Sequence, residues 1–274
     1  MHARVFHRRH LVLATFVFFA STQFVAASDE PNLNKEQIEQ FLLNAKVVGS
    51  RHTSKGITSP WRLTLTNGTL THDAAFQKID DRRNKMQLSD GRIELNFVDS
   101  YKYDIAAYRL AELLGLDDMV PVTVERKWQG NPGALSWWLP VMMDEVERHK
   151  QKLTPPDADA WNHQMYKIRV LDQLVYDTDV NLTNVLIGHN WKIWRIDFTR
   201  AFRRSKDLQH LDDLVQCDRQ LFDKLKTLDE NELAIRTKGY LNKDEVKALM
   251  ARRDKIVAYF EKLISEKGEG QVLY

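Results

Sequence analysis

Apolar residues recur at helical spacing in residues 34–45 (NKEQIEQFLLNA). Ile38, Phe41, Leu42 and Ala45 share one face there, and Asn34 can cap the first turn. The period then changes. Residues 61–65 (WRLTL) alternate, Asn67-Gly68 is a strong hairpin turn, and residues 69–79 continue as a second strand. Residues 80–91 are charged and close on a turn signal at Asp90-Gly91. Residues 102–114 (KYDIAAYRLAELL) read as an amphipathic helix that stops at Gly115. Strands are predicted over 120–124 and 134–143, either side of the Gln129-Gly130-Asn131-Pro132-Gly133 turn. From about Val146 the helical period takes over, in 161–176, 207–225, 229–236 and 242–266. Two short apolar runs interrupt it, Val185-Leu186-Ile187 and Ile193-Trp194-Arg195-Ile196. This order predicts an α+β chain in two lobes, a β-rich one over 28–140 and a helical one over 141–274.

Composition changes this picture little. The chain has 274 residues, 43% hydrophobic and 28% charged, which is ordinary for a globular protein of one large domain or two lobes. A net charge of +2 supports no argument for a nucleic-acid partner. The N-terminus adds more. Arg4, Arg8 and Arg9 precede an apolar stretch over 11–20, and Val25-Ala26-Ala27 offers small residues for cleavage after Ala27. Residues 1–27 are thus expected to be a signal peptide, and the mature chain to be periplasmic or secreted with no integral membrane segment. The Arg8-Arg9 pair also loosely resembles a twin-arginine signal. One cysteine, Cys217, excludes an internal disulfide and a cysteine-built zinc site; it lies in a polar segment over 212–226 expected to be helical and reads as structural.

The chemistry concentrates in residues 172–202 (DQLVYDTDVNLTNVLIGHNWKIWRIDFTRAF). Asp179 is followed five positions later by Asn184 and, after a short hairpin, by Asp197-Phe198. Phosphoryl transfer needs one carboxylate to orient a hydroxyl, and an amide and a second carboxylate to hold a metal against phosphates. Oxygen ligands suit Mg²⁺, a hard cation that keeps much of its water. Asn181 can add a hydrogen bond within the loop. No metal spacing is seen among the nine histidines, and no G-x-S-x-G is present, which argues against a zinc hydrolase or a serine nucleophile.

On these residues the chain resembles the protein-kinase-like fold in its atypical branch. It is similar to the phosphatidylinositol 3-/4-kinase-like and HipA-type families and to exported bacterial relatives of unknown substrate. Asp179-Val180-Asn181-Leu182-Thr183-Asn184 stands where phosphatidylinositol kinases carry Asp-Arg-His-x-x-Asn, and Asp197-Phe198-Thr199 where kinases carry Asp-Phe-Gly; no His-Arg precedes Asp179. The resemblance implies a two-lobed fold binding ATP and Mg²⁺. Asp179 would act as the hydroxyl-orienting group, Asn184 and Asp197 as metal ligands, and Leu135 to Met143 would hold the adenine. In the small lobe it implies a strand lysine and a helix acid that align the phosphates. Asp104 stands where the family has Glu before Ala-Ala-Tyr. The lysine depends on strand register in Ala74-Ala75-Phe76-Gln77-Lys78. If Phe76 faces the nucleotide, Lys78 is the ligand; if Ala75 does, Gln77 takes that place. Gly56 and Thr58 resemble the family's phosphate-covering turn. The implied function is an ATP- and Mg²⁺-dependent phosphotransferase. The acceptor is a protein, a lipid head group or a small molecule. Alternatives are an inactive kinase-fold binding module, or a transferase that passes on AMP.

Overall fold

The computed structural model describes residues 31–53, 60–87, 91 and 93–274. The predicted signal peptide, Gly56 and Thr58 lie outside the described residues. Helix α1 (Lys35–Asn44) starts at Asn34 with a reciprocal capping box to Gln37. Then come β1 (Lys46–His52), β2 (Trp61–Thr66), β3 (Thr71–Gln77), β4 (Asp80–Gln87), β5 (Ile93–Ser100), α2 (Lys102–Leu114), β6 (Thr123–Trp128), β7 (Asn131–Trp137) and β8 (Val141–Asp144). The remainder is mostly helical: α3 (Glu145–Gln151), α4 (Ala158–Val175), β9 (Val185–Gly188), β10 (Ile193–Arg195), α5 (Arg219–Thr227), α6 (Glu230–Arg236), α7 (Lys243–Lys267) and α8 (Glu269–Val272). The fold is therefore α+β, with a sheet-rich N-terminal region and a helical C-terminal part.

The main sheet runs β1-β2-β3-β7-β6, all antiparallel, and its two faces are covered differently. Alternation along β3 buries Ala74 and Phe76 and leaves Asp73, Ala75 and Gln77 half-buried. Ala74 lies opposite Trp137, which Phe41 of α1 meets edge-on with ring centroids 5.7 Å apart. Gln77 lies opposite Ala134, which packs with Ile105 of α2 and Tyr101. Directly opposed residues share a face. So α1 covers the Ala74–Phe76 side, and α2 covers the Ala75–Gln77 side. A second sheet, β10-β9-β8, leads from the hinge after Trp137 into the helical part.

Three expectations change. The charged stretch expected over 80–91 holds, at 80–87, the strand β4 of a two-stranded ribbon with β5. Its strand β4 is almost wholly exposed, so no face had to be apolar and no alternation betrayed it. The single strand expected over 134–143 is two, β7 and β8, separated around Pro140, which lacks the N–H a continuous ladder requires. The helix expected over 207–225 starts only at Arg219, where Asp218 caps it. Cys217 is consequently not helical: it bridges Leu273 and donates its N–H to the Val272 carbonyl. Its thiol is fully buried, which pushes its pKa up to about 12. Among the described residues no helix is long and apolar enough to cross a membrane.

Candidate active site

Helix α4 ends at Val175, with Tyr176 in the left-handed region, φ 50°, and its N–H bonded to the Asp172 carbonyl. The chain then turns through Asp177, Thr178 and Asp179. Asp177 is buried, and its Oδ1 accepts the N–H of Asp179 at 2.9 Å. This fixes the backbone of Asp179 while its side chain stays exposed. Asn181 folds the next turn: its Oδ1 accepts from Thr183 N–H at 3.0 Å and its Nδ2 donates to the Asp179 carbonyl at 3.2 Å. That 3-10 turn presents Asn184, only 7% exposed, whose Nδ2 has no hydrogen-bond partner among the described residues. The Asn184 carbonyl accepts the N–H of Ile196 at 3.0 Å, so Asn184 is held one residue from Asp197 across the β9–β10 hairpin.

Asp197 leaves β10 with φ 61°, a conformation Asp tolerates better than most residues, and its carboxylate faces solvent. Its Oδ1 accepts from Thr199 Oγ1 at 3.0 Å. The next N–H, of Phe198, donates to Oδ1 of Asp104 at 2.7 Å. Helix α2 and the Asp197 turn are thereby joined. Burial holds the Asp104 carboxyl well above the usual carboxylate range; the neighbouring charge of Asp197 adds to this and the Phe198 N–H opposes it. Asp99, at the base of the ribbon, is raised for the same first reason, with Asp197 again contributing. Its Oδ1 is buried without a hydrogen-bond partner among the described residues. Among those residues no three His, Cys, Asp or Glu side chains form a ready-made metal cluster.

One buried guanidinium organises the whole site. Arg195, with no exposed surface, donates from Nε to Asp172 at 3.0 Å and from Nη2 to Asp177 at 2.6 Å. Its Nη1 donates to the carbonyls of Ile196 and, at 3.4 Å, Asp197. The Asp179 loop and the Asp197 turn therefore hang on the same side chain. Burial raises Asp172 to about 6, with the Arg195 charge opposing that shift. The ribbon is tied in by Glu94, which lies between Arg200 and Arg203, 2.7 Å from the Arg203 Nη2. None of Arg195, Asp172, Asp177, Asp99 and Glu94 stood out in the sequence. The one available signal was Arg195, a lone charge inside the apolar run Ile193-Trp194-Arg195-Ile196.

In the small lobe, Phe76 packs edge-on against Trp128, on the face away from α2, with ring centroids 5.4 Å apart. Gln77 is the residue on the α2 face, and its Oε1 accepts the N–H groups of Lys78 and Ile79. Lys78 lies exposed, just past the end of β3, and forms no ion pair with Asp104. Of the two registers, this is the one that puts Ala75 and Gln77 toward the helix.

No family model and no curated protein matches this sequence. Solved structures do match in fold. A structure of hydra Fam20 with sugar aligns at TM-score 0.64 with 16% identity, covering 87% of this chain and 91% of that one. The Golgi casein kinase with Mn/ADP bound aligns at 0.59 with 12% identity, covering 87% and 78%. The Helicobacter pylori proinflammatory kinase CtkA aligns at 0.52 with 11% identity, covering 82% and 98%. The protein thus has an atypical kinase-like fold.

Proposed function

We propose that the protein is an atypical kinase-like phosphotransferase that uses a nucleoside triphosphate, ATP, and a divalent cation, Mg²⁺ or Mn²⁺. The observation that carries this reading is the bond from Phe198 N–H to Asp104. It couples α2 to the turn bearing Asp197, beside the buried Asn184, whose Oδ1 would be the metal donor and whose unpartnered Nδ2 can only donate a hydrogen bond. An amide and carboxylates are hard oxygen donors, which fits such a cation. Asn184 and Asp197 would hold it, with Asp104 behind them, and few protein ligands suffice because such a cation keeps water and takes phosphate oxygens. When bound, the cation neutralises charge on the transferring phosphates. Asp179, exposed and fixed through its backbone, orients the acceptor hydroxyl. The Mn/ADP complex of the Golgi casein kinase supports this ligand class. We place the nucleotide-gripping lobe at 28–140 and the catalytic lobe at 141–274, and take the mature protein to act outside the cytoplasm after loss of 1–27.

The test is Mg²⁺- and Mn²⁺-dependent nucleotide binding by the mature chain, read as a thermal shift. A shift of several degrees is expected with ATP or ADP plus metal, and its loss in Asp197→Ala. No shift with any nucleotide and metal overturns the reading. One observation favours a second reading, a kinase-fold binding module: Gln77, not a lysine, sits on the α2 face of β3. Nucleotide binding without transfer of label from γ-labelled ATP would select that alternative, and transfer of α-label instead would select AMP transfer.

A further inference from the structure

With Gln77 turned onto its own backbone and Lys78 pointing into solvent, β3 supplies no cation to the face that α2 covers. The strands beside it do. Arg51 of β1 lies opposite Arg62 of β2, and Arg62 lies opposite Ala75 of β3, so both arginines share the face of Ala75 and Gln77. Arg51 is on the edge strand and largely exposed, 63% of its side chain. Arg62 is more enclosed, at 30%, and it is aimed. Its Nε and Nη2 both lie 2.5 Å from Asp73 Oδ2. Its guanidinium lies 4.1 Å from the centre of the Trp138 ring. Trp138 follows β7 at the start of the hinge, and its N–H donates to the Asp73 carbonyl at 3.2 Å. A guanidinium thus stands on the α2 face of the sheet, at a place two strand positions from Gln77, roughly 7 Å along the strand.

We propose that Arg62 is the phosphate-binding cation of this cleft, doing from β2 what the sequence assigns to a lysine on β3. The inference rests on the nucleotide-binding reading above. A planar guanidinium takes phosphate oxygens through two parallel N–H donors, as it takes a carboxylate. Asp73 holds Arg62 ready and does not become an orphan when it leaves. Its Oδ1 keeps the Thr64 hydroxyl at 2.6 Å, and Arg51 stands 3.9 Å from its Oδ2. Burial would raise the Asp73 carboxyl, but the Thr64 hydroxyl and Arg62, with Arg51, hold it below the usual range. The candidate site carries the exposed carboxylates Asp179 and Asp197, so a polyphosphate bound there would need a protein cation as well as the metal.

The experiment measures dissociation constants of adenosine, AMP, ADP and ATP with Mn²⁺ for the mature protein, Arg62→Ala, Arg62→Lys and Lys78→Ala. In Arg62→Ala the loss should grow with phosphate number, from under twofold for adenosine to tenfold or more for ADP and ATP. Arg62→Lys should fall between, because it keeps the charge without the fork. Lys78→Ala should stay within twofold throughout. Adding Gln77→Lys to Arg62→Ala should recover ADP affinity, which guards against a folding artefact. Equal loss for all four ligands would make Arg62 a base-stacking residue and overturn the proposal, as would unchanged ADP and ATP binding. Wild-type protein that binds none of the four overturns the nucleotide reading itself, and this inference with it.

Discussion

At the scale of single residues the site is held by charges that water does not reach. Arg195 is saturated by two carboxylates and two carbonyls, and its worth lies in where it puts Asp179 and Asp197 rather than in the net energy of the ion pairs. Asp172 gives this a pH signature. Its folded pKa, about 6, stands above its ordinary 3.8, so the folded state binds the proton more tightly than the unfolded one. Stability from this group is therefore lost as pH rises through 6 and regained as it falls toward 5. Compared with Asp172→Asn, wild type should gain about 1 kcal/mol between pH 7 and pH 5 in denaturant titrations. A difference between the two that does not change over that range would show that Asp172 does not titrate there. In the sequence Asp179, Asn184 and Asp197 were legible because loop spacing is a local property. Asp172 and Asp177 were not, because what sets them apart is burial beside one another, and burial is not written in composition.

At the scale of elements, strand register decided what residue patterns left open. The alternative placements of Lys78 and Gln77 differ by one residue of β3, and that register is set by neighbours on both sides, β2 and β7. Gly133 allows the close approach of β7 to β3. A side chain there would meet the Gln77 carbonyl at 2.5 Å and the Phe76 ring at 2.6 Å. Gly133→Ala should accordingly cost about 1–3 kcal/mol by overpacking, seen as a lower denaturation midpoint with unchanged slope. No loss at all would mean that β3 and β7 can separate at this point. The α2 and α7 helices and the β2–β3 hairpin were legible because each has a strong period and proper ends. The β4–β5 ribbon was not, since a solvated ribbon has no apolar face to announce.

For the molecule as a whole, the helical part is locked to the site by a buried cation that has no carboxylate partner among the described residues. Arg252 of α7 donates from Nε to the Leu174 carbonyl and from Nη1 to the carbonyls of Arg203 and Ser205. It thus grips the end of α4 just before Asp177 and the segment just after Phe202. Burial pulls its pKa down to about 10, still high enough to keep it charged at neutral pH. Arg252→Met should lower global stability by roughly 3 kcal/mol, because it strands buried carbonyls. It should also speed hydrogen exchange in 177–184 ahead of the main sheet. Equal exchange in both regions would show that Arg252 supports the fold generally and not this loop. By itself the sequence determined α1, the β2–β3 hairpin and α2 in the sheet-rich half, the helical character of most of the C-terminal half, and three polar residues at spacing suited to metal-assisted phosphate chemistry. All of these come from local periodicity and loop length. Tertiary structure alone decided which face of β3 meets α2 and which carboxylates lie near Asp197. Each of those depends on contacts between residues distant in the chain, where pairing and burial, not local propensity, set the energy.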